Sequence, residues 1–179
     1  MRIISGIHGG RKINPPAKMP FTRPTTDIAK EGLFNILQNN LVIEDLKVLD
    51  LFGGTGCISY ELASRGAAEI TIVEKDNNMF NFIKLTAAQL KFENISVIKS
   101  DVFKFIDSTP EPYDFIFAGP PYALATIDNI PLKVFEKELL KPNGWLVLEQ
   151  TPRNDYKKFN HYKTERGYGT TIFSIFVNN

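Results

Sequence analysis

At 179 residues the chain has the size of one domain, and its composition, 43% hydrophobic and 23% charged, excludes wholesale disorder. The single cysteine excludes an intramolecular disulfide. Because the chain has neither an apolar run near the roughly 18 residues that span a bilayer nor a signal-peptide pattern, we expect a cytoplasmic protein without a membrane partner. The net charge of +1 conceals an asymmetry, since residues 1–24 hold five bases and no acid while the remainder sums to −4.

Residues 1–24 are expected to form a basic N-terminal extension ahead of a domain spanning 25–179. Within the extension, the stretches 2–5 and 11–13 are candidates for a small hairpin, and the prolines that follow favour an extended connector. A helix is predicted from about residue 25 to 38, because threonine and aspartate oxygens at 25–27 can cap it and the apolar residues have helical spacing.

From residue 47 onward, short apolar runs alternate with longer helical patterns, which indicates βαβ units and a parallel sheet. The last part of the chain predicts an antiparallel pair of strands around a glycine-rich turn at 167–169. The predicted strands are 47–52, 69–74, 95–99, 113–118, 145–149, 159–164 and 170–177, with helices at 57–65, 77–91 and 128–140. The expected fold class is therefore α/β, with a mostly parallel seven-stranded sheet.

A glycine cluster, DLFGGTG at 50–56, lies where the first of these strands turns into a helix. Glycine permits positive φ and close approach of the backbone to a ligand, and the helix N-terminus presents free N–H groups. The next strand ends at Glu74, where a carboxylate can accept hydrogen bonds from both hydroxyls of a ribose. The dinucleotide fingerprint is incomplete after Gly56, and Asp50 suits a cationic amine better than a phosphate.

This pattern resembles motifs I and II of the Class I S-adenosylmethionine-dependent methyltransferases, which have a Rossmann-like fold with an antiparallel last strand. The resemblance implies S-adenosylmethionine as cofactor and no metal. Asp50 would bind its ammonium group, Glu74 its ribose and Asp101 its adenine amine, although a structural turn and a simple helix cap are the alternatives. The implied cofactor-binding residues are Asp50, Phe52, Gly53, Gly54, Thr55, Gly56, Glu74, Lys75, Asp101 and Val102.

The fourth strand of the predicted sheet runs into GPPY at 119–122. This sequence is similar to the (Asp/Asn)-Pro-Pro-(Tyr/Phe) motif of methyltransferases that act on planar amino groups. The implied catalytic residues are Gly119, Pro120, Pro121 and Tyr122. In that family the first side chain and the first proline carbonyl accept the hydrogens of the amine, and the aromatic ring stacks on the base.

Gly119 departs from the motif, because glycine has no side-chain acceptor. The loss of one charged hydrogen-bond partner costs about 1.5–3 kcal/mol. A neighbouring carbonyl or a water could substitute for the missing group, or the protein is an attenuated variant; the sequence leaves both open.

Blocks along the whole chain look like the RsmD-type 16S ribosomal RNA guanine-N2 methyltransferases. They are RIISG at 2–6, GRKI at 10–13, TRPTTD at 22–27, EGLFNIL at 31–37, LE at 148–149 and YGTT at 168–171. The resemblance implies methyl transfer to N2 of a guanine by a bacterial, cytoplasmic monomer whose partner is small-subunit ribosomal RNA or the 30S particle. The basic extension would contact phosphates, with Arg23 nearest the active site. The implied RNA-binding residues are Arg2, Arg11, Lys12, Lys18 and Arg23.

Three other functions stay open at this point. Adenine-N6 and glutamine amide methyltransferases share the tetrapeptide, but they usually carry an additional target-recognition segment for which this chain has little room. A noncatalytic module that binds RNA or S-adenosylmethionine is the alternative from another class, and Gly119 keeps it open.

Overall fold

The computed structural model describes residues 1–17, 19, 25–109 and 111–179. The strands of its sheet are β1 (Lys47–Leu51), β2 (Glu69–Glu74), β3 (Ile95–Lys99), β4 (Tyr113–Ala118), β5 (Leu140–Gln150), β6 (Tyr162–Tyr168) and β7 (Thr171–Val177). The helices are α1 (Asp27–Gln38), α2 (Cys57–Ser64), α3 (Asn77–Gln89), α4 (Val102–Ser108) and α5 (Asn129–Glu136), with a 3-10 turn at Ile43–Asp45.

The seven strands form one sheet in the order β3-β2-β1-β4-β5-β7-β6. β1 to β5 run parallel, whereas β7 is antiparallel to both of its neighbours. The predicted Rossmann-like α/β fold with an antiparallel last strand is therefore confirmed. The strand order reverses between β1 and β4, and in open α/β sheets such a switch point leaves a crevice at the carboxyl ends of the strands.

Three elements, α5, β5 and β6, have sequence-predicted bounds that are wrong by three or more residues. The helix predicted over 128–140 ends at Glu136, and β5 begins at Leu140 rather than at 145. Pro142 and Gly144, residue types that commonly end a helix, lie in an irregular part of β5, where the register with β4 shifts. The strand predicted over 159–164 lies instead at Tyr162–Tyr168. Gly167 and Tyr168 therefore belong to β6, and the turn consists of Gly169, with φ 63°, and Thr170.

The five inner strands of the sheet are largely buried on both faces, as parallel sheets usually are, whereas the edge strands β3 and β6 are partly exposed. Successive residues of β1 point to opposite sides, so that Val48 packs with α1, α2 and α3, whereas Leu49 packs with α4 and α5. Asp50 follows on the α2 side, where its carboxylate accepts a hydrogen bond from Ser59. Within the described part of the chain, no helix has both the length and the apolarity needed to cross a membrane.

The described part of the N-terminal extension packs on the α1–α2 side of the sheet. Ile3 and Ile13 are buried in that core, and an isolated antiparallel bridge joins Arg2 to Lys12, in agreement with the predicted hairpin. The buried carboxylate of Glu61 accepts hydrogen bonds from the backbone nitrogens of residues 4 and 5, at 2.7 and 3.0 Å. The apolar residues of the hairpin thus contribute to the core of the domain, while its boundary at residue 24 stays a prediction.

Candidate active site

A cleft of about 540 Å³ opens at the carboxyl ends of the parallel strands, within the range of about 300–1,000 Å³ that is usual for small-molecule sites. The glycine loop after β1, the carboxyl end of β2, the start of α4 and the turn after β4 all contribute to its wall. The sequence-predicted residues that line it are Asp50, Phe52, Gly53, Gly54, Thr55, Glu74, Lys75, Asp101, Val102, Gly119, Pro120, Pro121 and Tyr122. The fold therefore brings the implied cofactor-binding and catalytic segments together.

The glycine loop has a backbone conformation that few other residues adopt. Gly56, which does not line the cleft, has φ 76° at the start of α2, and a Cβ there would lie 2.5 Å from a ring carbon of Tyr60. At Gly53 a Cβ would lie 2.5 Å from a methyl group of Ile72. Phe52 has φ 74°, which is uncommon for an aromatic residue and is typical of functional loops.

Asp50 presents a buried carboxylate to the cleft. Its Oδ2 accepts a hydrogen bond from Ser59 Oγ at 2.6 Å, whereas its Oδ1 is buried and has no hydrogen-bond partner among the residues that the structure describes. Burial raises the pKa of Asp50 from 3.8 to about 7, and the carboxylates of Glu74 and Glu149 add to the rise. A buried acceptor without a partner is unfavourable unless a ligand completes it, and a cationic group would also favour the ionised form of Asp50.

Glu74 is fixed by two backbone hydrogen bonds. Its Oε2 accepts from Gly54 N at 2.8 Å and its Oε1 from Asp76 N at 2.7 Å, so the carboxylate links the glycine loop to the end of β2. Each carboxylate oxygen can accept a second hydrogen bond, and two oxygens held apart in this way match the vicinal hydroxyls of a ribose.

Asp101 caps α4, since its Oδ1 accepts hydrogen bonds from Phe103 N at 3.0 Å and Lys104 N at 3.2 Å. The helix cap that the sequence offered as an alternative is thus what the structure shows. Asp101 and Val102 also line the cleft, and contact with an adenine stays a prediction for both.

The turn after β4 lies beside a carboxylate that sequence reasoning had not counted as a site residue. Glu149 Oε2 lies 3.7 Å from the position that a Cβ at Gly119 would occupy. Its Oε1 accepts a hydrogen bond from the hydroxyl of Tyr122 at 3.3 Å, and its Oε2 accepts one from Thr25 Oγ1 at 2.8 Å. The strand register shows why Gly119 and Glu149 are close. Ala118 of β4 pairs with Leu148 of β5, so the residues that follow them are adjacent.

The predicted RNA-binding residues lie outside the cleft where the structure describes them. Arg11 and Lys12 are exposed on the hairpin. Arg2 is half exposed and forms an ion pair with Asp27 at 3.2 Å. Since Thr25, two residues before Asp27, lines the cleft, this end of the hairpin is on the cleft side of α1.

Lys18 and Arg23 lie outside the described residues. The five RNA-binding residues therefore stay predictions. Among the residues that the structure does describe, no group of three or more His, Cys, Asp or Glu side chains is arranged to hold a metal ion.

The cleft fits the cofactor that the sequence implies. It is large enough for a nucleoside with an extended substituent. Asp50 Oδ1, which has no partner among the described residues, could receive a cation, and the fixed carboxylate of Glu74 could receive hydroxyl groups. An ammonium group and a ribose are the parts of S-adenosylmethionine that need such partners.

Three comparisons with known proteins identify what this chain is similar to. The family model described as "Conserved hypothetical protein 95" matches residues 1–177. Ribosomal RNA small subunit methyltransferase D of Escherichia coli (strain K12) is 36% identical over 149 residues, which are 83% of this chain and 71% of that protein. The release factor glutamine methyltransferase of Shewanella oneidensis is 32% identical over 153 residues, but these cover 71% of this chain and 51% of that protein. The solved structure of yhhF from Escherichia coli matches with a TM-score of 0.87 and 27% identity, and covers 100% of this chain and 98% of that chain.

Proposed function

Because this chain belongs to the family of RsmD-type ribosomal RNA small subunit methyltransferases, we propose that it transfers a methyl group from S-adenosylmethionine to N2 of a guanine in 16S ribosomal RNA. The observation that carries the proposal is that the predicted cofactor residues and the Pro-Pro-Tyr turn open into one cleft. A nucleoside cofactor and an extruded base can therefore meet there.

The cofactor would be held at three points along the strand ends. Asp50 would bind its ammonium group, Glu74 the ribose hydroxyls, and Asp101 with Val102 the adenine edge. When bound, S-adenosylmethionine supplies an electrophilic methyl group on a positively charged sulfur. The glycine loop allows the backbone of 53–55 to approach that ligand closely.

The target amine would lie against the turn after β4. An amine conjugated to a base is a poor nucleophile, since its lone pair is delocalised into the ring. Pro120 offers a carbonyl oxygen that can accept one amine hydrogen, and the ring of Tyr122, which is 39% exposed, is available to stack on the base. Two consecutive prolines restrict the backbone, so little conformational entropy is lost when the amine is positioned.

A base within an RNA loop must leave its stack to reach this cleft. Arg11 and Lys12, which are exposed on the N-terminal hairpin of the protein, would contact RNA phosphates beside the target. These contacts would hold the RNA loop while the target nucleobase is extruded. We propose small-subunit ribosomal RNA, free or in the 30S particle, as the partner and a monomer as the active form.

The direct test is transfer of labelled methyl groups to isolated ribosomal subunits and to protein acceptors. Small subunits from an Escherichia coli strain that lacks its own small subunit methyltransferase D should accept label, while matched large subunits should not. A bacterial release factor is the control acceptor for the glutamine alternative. Label in the release factor, or in neither acceptor, would contradict the proposed substrate.

A further inference from the structure

We propose that Glu149 supplies the hydrogen-bond acceptor that Gly119 lacks, so that the target amine is held between the Glu149 carboxylate and the carbonyl oxygen of Pro120. The assignment rests on the proposed function, because it names the residue that receives the amine in the same cleft. Glu149 would then be a catalytic residue supplied by β5 in place of the usual first residue of the tetrapeptide.

The strand register places the carboxylate where the motif needs it. Gly119 and Glu149 follow the paired residues Ala118 and Leu148 on adjacent parallel strands. Glu149 Oε2 lies 3.7 Å from the position of a Cβ at residue 119. An aspartate there would extend its own carboxylate from that Cβ into the same region, so the two side chains are alternative sources of one acceptor.

Glycine at this position is not required by the backbone, because Gly119 is outside the left-handed region in which glycine is favoured. The lack of a side chain at Gly119 instead leaves space for two neighbouring side chains. A Cβ would lie 3.0 Å from a ring carbon of Phe117 and within van der Waals distance of Glu149. The absence of a side chain at 119 and the presence of an acid at 149 are thus two parts of one arrangement.

Hydrogen bonds from Thr25 and Tyr122 help to orient the Glu149 carboxylate. Thr25 Oγ1 donates to Oε2 at 2.8 Å, and the Tyr122 hydroxyl donates to Oε1 at 3.3 Å. Glu149 is 5% exposed, and hydrogen bonds are electrostatically stronger in such surroundings than in water. An acceptor fixed before the substrate arrives does not have to reorganise during the reaction.

The chemistry of the amine matches this acceptor. While one N2 hydrogen bonds to Glu149, the lone pair of N2 forms the new C–N bond, and the electron pair of the broken C–S bond stays on sulfur. The product nitrogen then loses one proton, which passes to the carboxylate and from there to water.

A carboxylate also favours guanine over adenine. The Watson–Crick edge of guanine presents two adjacent donors, N1–H and N2–H, and a carboxylate can accept from both. Adenine presents the acceptor N1 beside its amine, so a carboxylate would face a lone pair there. Repulsion of this kind is an effective source of specificity.

The test removes the acid at residue 149 of β5 and introduces one at residue 119, which follows β4. Glu149→Ala should lower kcat on small ribosomal subunits by roughly 10- to 100-fold, the effect of losing one charged hydrogen-bond partner in the transition state. Adding Gly119→Asp to Glu149→Ala should recover most of that loss. The matched control adds Gly119→Ala instead, which introduces the same Cβ without a carboxylate, and should not recover it.

Three further measurements separate catalysis from structure. The affinity for S-adenosylhomocysteine and the thermal midpoint should stay close to wild type in Glu149→Ala, and Glu136→Gln, an exposed acid on α5, serves as the neutral control. Tyr122→Phe should cost less than Glu149→Ala, because it removes the hydroxyl but keeps the ring and the acid. If Glu149→Ala lowers the thermal midpoint, Glu149→Met, which has a similar length but no oxygen acceptor, replaces it as the parent for the exchange.

The outcomes that overturn the assignment differ from those that overturn the proposed function. A wild-type protein that makes no N2-methylguanosine overturns the proposed function and the assignment with it. An active wild type with an equally active Glu149→Ala overturns the assignment alone. So does equal recovery by Gly119→Ala and Gly119→Asp, or no recovery by either, because both would mean that Glu149 acts only through the local structure.

Discussion

The affinity for cofactor should depend on pH through Asp50. The pKa of this buried carboxyl is raised from 3.8 to about 7, which corresponds to about 4 kcal/mol opposing its ionised form. An ammonium group beside the unpartnered Oδ1 reverses that penalty, so the cofactor selects the ionised carboxylate. Below about pH 7 the carboxyl must release a proton on binding, and the affinity should fall about tenfold between pH 8 and pH 6.

Calorimetric titration with S-adenosylhomocysteine, which has the same amino group, can measure this effect. The ratio of the Kd of Asp50→Asn to that of the wild type should be large at about pH 8 and about tenfold smaller at about pH 6, because only the wild-type carboxyl titrates. Asp45→Asn, an exposed acid before β1, should leave the profile unchanged. A ratio that does not vary with pH would mean that Asp50 does not bind the ammonium group as a carboxylate.

The raised pKa of Asp50 also affects the free energy of unfolding of the cofactor-free protein, and Asp50→Asn tests this effect. The pKa of Asp50 in the folded state lies above its value in the unfolded state. Between about pH 4 and pH 7, Asp50 is therefore mostly protonated in the folded state and mostly ionised in the unfolded state. The contribution that opposes folding therefore grows as the pH rises through that window and is complete above it. Asp50→Asn should be at least as stable as wild type at pH 8 in urea unfolding, so weaker binding would not come from unfolding.

Three other substitutions test separate parts of the account. Glu74→Ala should raise the Kd for S-adenosylhomocysteine by roughly 10- to 100-fold in calorimetry, because the ribose hydroxyls lose a charged acceptor. Ile3→Ala should lower the free energy of unfolding in urea by about 2–5 kcal/mol, since this hairpin residue is buried in the core; a loss near zero would mean that the hairpin is not part of the folded domain. RNA binding becomes weaker as salt rises, and the slope of log K against log salt concentration measures this effect. Replacing Arg11 and Lys12 together by Ala should reduce the magnitude of that slope by about 1 to 2. An unchanged slope would mean that the RNA binds elsewhere.

The sequence allowed the cleft to be predicted because its signals are local. A glycine loop between a strand and a helix, and an acid at the end of the next strand, need no knowledge of distant contacts. Parallel strands also bring their carboxyl ends to one edge of the sheet, which is why residues from 50 to 122 meet there. Where local signals were ambiguous, as with proline and glycine at 142 and 144, the sequence interpretation placed β5 five residues too late.

The role of Glu149 was harder to infer, because its evidence is long-range. In the sequence it is one acid at a strand end, thirty residues after Gly119. Only the pairing of β4 with β5 shows that the two positions are neighbours. The contact between Lys30 and Glu61 is also long-range. These side chains form a buried ion pair at 3.6 Å and both bond to the hairpin backbone, which the sequence alone does not reveal.

The charge asymmetry of the chain also has a structural counterpart. The bases Arg11 and Lys12 are exposed on a hairpin that packs against the domain, while acids such as Asp50 and Glu74 lie in the cleft. The near-neutral total therefore combines a basic surface segment with an acidic cleft.

The identity of the methylated nucleoside tests the central claim most directly. Small ribosomal subunits that lack the modification would be incubated with the wild-type protein and S-adenosylmethionine, and their RNA digested to nucleosides and analysed by chromatography and mass spectrometry against standards. We predict one new product, N2-methylguanosine, absent when the cofactor is omitted. N6-methyladenosine, or no methylated nucleoside, would contradict the account.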